Sequence, residues 1–76
     1  MFKKLSELHE GDRAIIRGFD KEEILLKLME MGCIPGEVIS IERIASARGP
    51  ISVFISGYLL SLRTEEAELI VVEVII

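Results

Sequence analysis

The chain carries one histidine and one cysteine, His9 and Cys33. A Cys–His nucleophile needs the two side chains in contact and a setting that favours the thiolate. These two lie in different segments. His9 reads as a solvent-facing turn residue and Cys33, between Gly32 and Ile34, as a small packed side chain. Imidazole and carboxylate are ligands that ferrous iron accepts, so His9 with Glu7, Glu10 or Asp12 could offer a loose surface site. Carboxylates beside a histidine on a turn read more simply as solvated charges, and no metal or cofactor site is assigned. The glycines do not form a phosphate cradle, because no Gly-x-x-x-x-Gly-Lys-Ser/Thr run exists. Gly11, Gly32, Gly36, Gly49 and Gly57 fall where turns need them. No catalytic residues emerge, and an enzyme is not expected.

The 76 residues, half of them hydrophobic, suit one small domain over residues 1–76 with a compact core. The net charge of −4 and nine scattered basic residues disfavour nucleic acid, whose affinity rests on clustered Lys and Arg. The longest apolar run, Leu69 to Val72, falls far short of the ~18 residues a spanning helix needs. The start, Met1-Phe2-Lys3-Lys4-Leu5, lacks the apolar run of a signal peptide. A lone cysteine excludes an internal disulfide and suits a reducing compartment. These features together lead to an expected cytoplasmic location without membrane insertion.

The nine residues Leu28-Met29-Glu30-Met31-Gly32-Cys33-Ile34-Pro35-Gly36 end a helix and launch a strand. Gly32 can take the left-handed helix cap, and Ile34 before proline cannot extend the helix. Upstream, Leu5, Leu8 and the turn at Glu10-Gly11-Asp12 read as a packed lead-in. Arg13 to Phe19 reads as a first strand with Ala14 and Ile16 inward. Asp20 is the expected N-cap of the helix, with Glu23 completing an Asp variant of the capping box. Ile24, Leu25, Leu28 and Met31 form its apolar stripe, and Leu26 lies off that stripe.

Four more strands are expected. They are Glu37 to Ile44 (broken near Ala47-Arg48-Gly49-Pro50), Ile51 to Ser56, Leu59 to Arg63 and Leu69 to Ile76. Ile51, Val53, Ile55, Leu60, Leu62, Ile70, Val72 and Val74 form their inward set. A type II′ loop at Gly57-Tyr58 would pair Val53 with Leu62 and Ile55 with Leu60. Thr64-Glu65-Glu66-Ala67 reads as one capped helical turn. The architecture that follows is mainly β with one helix, a small five-stranded, partly open barrel with the helix between strands 1 and 2.

The pattern resembles the FeoA family. The residues carrying the resemblance are Leu5-x-x-Leu8-x-x-Gly11, Ala14-x-Ile16, Leu28-x-x-Met31-Gly32-x-x-Pro35-Gly36, Gly49-Pro50-Ile51-x-Val53, Gly57-Tyr58-x-Leu60-Ser61-Leu62-Arg63 and Glu66-Ala67-x-x-Ile70-x-Val72. Each piece is weak alone, while their order and spacing are specific. The resemblance implies an SH3-like barrel. It also implies a non-enzymatic cytoplasmic accessory of bacterial ferrous iron uptake that docks on and modulates FeoB, the membrane transporter with a GTP-binding cytoplasmic part. Its link to transition metal ions would then run through the transported iron. An alternative is an iron-responsive sensor module, since the same fold occurs as the C-terminal domain of metal-dependent repressors.

An SH3-like fold does not bring a proline-rich ligand with it. Such grooves are lined with aromatics, and this chain has no tryptophan, one tyrosine and three phenylalanines. The surplus lies in outward apolar residues. Leu26, Phe54 and Leu59, with Phe54 and Leu59 diagonal across the hairpin, are the candidate partner surface; Ile15 and Val71 join the outward set. Arg63 is a candidate partner contact, against the plainer reading of an ion pair with Glu65 or Glu66. Weak self-association is expected, if anywhere, from the apolar tail Val74-Ile75-Ile76 pairing with another chain's edge.

Overall fold

The computed structural model describes residues 1–46 and 49–75. Strands β1 (Phe2–Lys4), β2 (Arg13–Phe19), β3 (Val38–Ile44), β4 (Ile51–Ile55), β5 (Tyr58–Leu62) and β6 (Ile70–Ile75) form one antiparallel sheet. Their order is β1-β6-β2-β3-β4-β5. Helix α1 (Glu22–Glu30) joins β2 to β3, and the single turn α2 (Thr64–Ala67) joins β5 to β6. There are thus six strands rather than the expected five. The added one, β1, precedes the lead-in that begins at Leu5, in a segment for which no element was expected. Among the described residues β1 and β5 do not pair with each other, so the sheet keeps two free edges instead of closing.

Alternation along the strands builds the core. Ala14 and Ile16 of β2 are buried, as are Ile39 and Ile41 of β3, Ile51, Val53 and Ile55 of β4, Leu62 of β5, and Ile70 and Val72 of β6. Successive strand side chains point to opposite faces, so each inward set leaves its neighbours outside. Leu60 and Val74 are half-buried against this core. Leu5 and Leu8 of the lead-in and Leu28 of α1 belong to the same core cluster.

The helix begins one residue later than its sequence suggests. Lys21 is the N-cap and makes no side-chain cap bond. The first bond of the helix runs from the Ile24 N–H to Lys21 O at 3.4 Å, which leaves Asp20 one residue outside, its own N–H donating to Leu69 O at 2.8 Å. Glu22 and Glu23 keep the favourable place of acids in the first turn. Leu28 is the fully buried residue of the stripe, with Ile24 and Met31 half-buried, while Leu25 is 39% exposed. The exit runs as expected. Gly32 (φ 105°) and Gly36 (φ 97°) both take left-handed conformations, and the Gly36 N–H donates to Ile16 O at 2.7 Å, fixing the connection to β2.

The β4–β5 hairpin turns at Ser56-Gly57, not Gly57-Tyr58. Ser56 (φ 53°) and Gly57 (φ 83°) both have positive φ, the pattern of a type I′ loop. Ile55 therefore pairs with Tyr58, Val53 with Leu60 and Ile51 with Leu62. The register differs by two residues from the expected one. An even shift preserves every side chain's face, so the inward set survives the error. Of the predicted break after β3, Ala47 and Arg48 lie outside the described residues; next to them the Gly49 N–H donates to Ser46 O at 3.1 Å.

Candidate functional site

The outward side of β3, β4 and β5 gathers exposed apolar side chains. Phe54 and Leu59 are direct cross-strand partners, not diagonal ones, and are 45% and 68% exposed. Phe54 also faces Ser40 across β3. Val38, two residues before Ser40 on the same face, is 42% exposed and pairs with the half-buried Ile15 of β2. Val38 and Phe54 are diagonal neighbours by this register, within side-chain reach of ~7–8 Å. Beyond Ile15 the face turns polar, where Arg17 Nε meets Glu73 Oε1 at 2.8 Å. Val38 was missed in the sequence, where it reads only as the start of a strand. Val71 is half-buried and lies on β6, away from this group.

Leu26 stands apart from that strand group, on α1, with 66% exposure. Its neighbour Lys27 reaches Glu66 Oε2 of α2 at 3.3 Å. Glu66 also accepts the Arg63 backbone N–H at 2.8 Å through Oε1. Burial alone would raise the Glu66 pKa. The Arg63 N–H and the Lys27 ammonium outweigh it, with a smaller contribution from the Arg63 charge, and hold the carboxyl below its ordinary value. The Arg63 side chain therefore does not form the expected ion pair with Glu65 or Glu66. Lys27 takes that place, and the exposed Arg63 guanidinium has no ion partner among the described residues. It lines a shallow groove of about 380 Å³ with Pro50, Ser61, Leu62, Thr64 and Glu65.

The residues able to do chemistry are spent on structure. His9 Nδ1 lies 3.7 Å from Asp12 Oδ2, on an exposed turn where the His9 N–H donates to that same carboxylate at 2.8 Å. Glu7 Oε1 accepts the Lys4 N–H and Glu10 Oε2 the Ile44 N–H, both at 2.8 Å. Each acid near His9 is thus engaged with a backbone donor. Among the described residues no group of three or more His, Cys, Asp or Glu is placed to hold a metal ion. Cys33 is fully buried, and burial, with the nearby Glu66 charge, pushes its thiol up to about 11. At neutral pH it is protonated and unreactive. No described helix is long and apolar enough to cross a membrane.

Six antiparallel strands with a helix inserted after β2 form a small β domain with an exposed apolar face. The FeoA domain model matches residues 3–74, and the chain belongs to the FeoA family. A Porphyromonas gingivalis relative, the Fe(2+) transport protein A/Fe(2+) transporter FeoB fusion protein, is 40% identical over 73 residues. Those residues are 95% of this chain and 9% of the fusion protein, so the chain spans less than a tenth of that relative. The FeoA-like protein from Clostridium acetobutylicum is 36% identical, with a TM-score of 0.90 over 99% of this chain and 88% of the other. The Stenotrophomonas maltophilia FeoA, solved with zinc and described as a procaryotic SH3 domain protein, is 25% identical, with a TM-score of 0.80 over 93% and 89% of the two chains. The fold is SH3-like.

Proposed function

We propose that this chain is a non-enzymatic accessory of ferrous iron transport that docks on the FeoB transporter and modulates it. The observation that carries this reading is the Porphyromonas gingivalis fusion, in which a domain 40% identical to this chain shares one polypeptide with the transporter. Two activities joined in one chain work beside each other, which supports contact between this domain and the transporter. The docking contacts are the Phe54–Leu59 pair on the sheet, Leu26 apart from it on α1, and Arg63 after β5. The first three expose large apolar side chains, and burying one such side chain contributes about 1.5–3 kcal/mol. Arg63, which has no ion partner among the described residues, adds a cation at the surface margin.

The test is a pull-down of the full-length transporter by the tagged wild-type chain, with and without guanine nucleotide. The reading expects capture by the wild type and loss of capture by Leu26→Glu and by Phe54→Glu, both still folded by circular dichroism. Capture at wild-type level by both variants would refute the surface. Absence of capture by the wild type under either nucleotide condition would refute the docking.

A further inference from the structure

Strand β5 ends the sheet, and its free edge is unusually well suited to pairing. In a two-residue hairpin the flanking residues exchange hydrogen bonds, and bonded and non-bonded pairs then alternate. Tyr58, Leu60 and Leu62 therefore turn their backbone groups toward β4, while the N–H and C=O of Leu59 and Ser61 face outward from the sheet. The next donor, the Arg63 N–H, is already taken by Glu66.

Exposed edges are normally blunted by charge, proline, a bulge or brevity. The opposite edge, β1, has three residues, two of them Lys3 and Lys4. Strand β5 has five residues, Tyr-Leu-Leu-Ser-Leu, with no charge and no proline. The register shifts that interrupt the β2–β6 and β3–β4 pairings are absent between β4 and β5. Of the apolar tail Val74-Ile75-Ile76, Ile76 lies outside the described residues; Val74 and Ile75 pair with Ala14 and Arg13 of β2, while β1 reaches only Val71 to Glu73.

We propose that β5 pairs with β5 of a second copy of this chain, antiparallel, with Leu60 on the two-fold axis. In that register Leu59 of each copy meets Ser61 of the other, and four N–H···O=C bonds close between the strands. Tyr58, 70% exposed in the single chain, comes opposite Leu62. What selects a second copy over an unrelated strand is charge. The same register carries Arg63 of each copy to the hairpin tip of the other, at Gly57. There the exposed Glu37 carboxylate accepts from Ser56 Oγ at 3.1 Å. The Arg63 cation and this acid thus meet twice, as an isologous two-fold requires. Pairing occupies Arg63, so the dimer and a transporter contact through Arg63 exclude each other.

Sedimentation of the purified full chain, without transporter, tests the pairing apart from the proposed docking. The mass should rise from monomer toward dimer between micromolar and millimolar concentration. Ser61→Pro should remain monomeric throughout, because its lost N–H is unpaired in the single chain and an edge strand tolerates proline there. Arg63→Glu and Glu37→Arg should each weaken association roughly tenfold, and the double variant should restore it. Leu60→Cys should form an intermolecular disulfide on oxidation, since Leu60 faces its own copy in a non-hydrogen-bonded pair. A wild type monomeric up to millimolar concentration would overturn the proposal. So would dimerisation of a folded Ser61→Pro, a charge swap that fails to restore association, or a Leu60→Cys chain that does not cross-link.

Discussion

Lys27 Nζ sits 3.3 Å from Glu66 Oε2, and the other oxygen of that carboxylate holds the Arg63 backbone N–H at 2.8 Å. One carboxylate thereby ties the long helix, the α2 turn and the end of β5 together. Leu26, next to Lys27, and Arg63 are placed by this link, so these two proposed docking contacts share a mechanical anchor. Lys27 itself is largely exposed, which limits what the ion pair adds. The greater part of the effect comes from the backbone N–H that Glu66 satisfies.

Glu66→Ala should therefore destabilise the chain by ~0.5–2 kcal/mol at neutral pH, as loss of a terminal cap does. The effect carries a definite pH dependence. Glu66 has a folded-state pKa below its unfolded value, so its stabilisation is complete above the unfolded carboxylate range near ~4.3 and is lost as pH falls through the lower folded value. Urea unfolding of wild type and variant should show the gap at pH 7 and show it shrinking at strongly acid pH.

Leu28→Ala truncates the α1 side chain that is completely buried in the core. The expected cost is ~2–5 kcal/mol, a large part of the ~3–5 kcal/mol that a core of this size supplies. Thermal unfolding should show the variant largely unfolded near body temperature, whereas Leu26→Ala, at an exposed site on the same helix, should move the midpoint little.

Cys33 should be silent toward thiol reagents in the native chain and react on unfolding. Its pKa is raised to about 11, so the proton-linked stabilisation is fully present below the unfolded thiol pKa and is lost as pH rises from there through the folded value. Native-state labelling at pH 8 should run at the unfolding rate, and stability should decline in alkali between the unfolded thiol pKa and about 11.

Much of this architecture was legible because alternation is a local signal. Strand β2 falls at Arg13–Phe19 as its sequence indicates, and the inward residues of β2, β4 and β6 are those that alternation selects. The α2 turn likewise shows its Thr64–Ala67 limits in its acids. Strand β1 was not legible, because three residues, Phe-Lys-Lys, are too few to alternate and their partners, Val71 to Glu73, lie at the far end of the chain. The hairpin register failed for a different reason. Ser56 adopts positive φ without being glycine, and the resulting even shift leaves every face unchanged. That shift turns Phe54 and Leu59 from diagonal neighbours into direct partners, so the candidate surface is tighter than the sequence indicates. Leu26 and Arg63 were found by exposure and charge alone, and their common link to Glu66 is a tertiary contact with no local signature.

The paired residues Phe54 and Leu59 should be dispensable for folding. Leu59→Ser should change stability by no more than ~0.5 kcal/mol, as surface substitutions do. Denaturant midpoints of Leu59→Ser and wild type should coincide within that range, while a partner bound through this face should be lost.

The most direct test of the account measures transporter binding by Phe54→Glu against binding by Lys3→Glu, a charge placed on the opposite sheet edge. Both chains should retain wild-type circular dichroism. The account predicts that Phe54→Glu no longer captures the transporter while Lys3→Glu captures it as the wild type does. Equal capture by the two variants would contradict it.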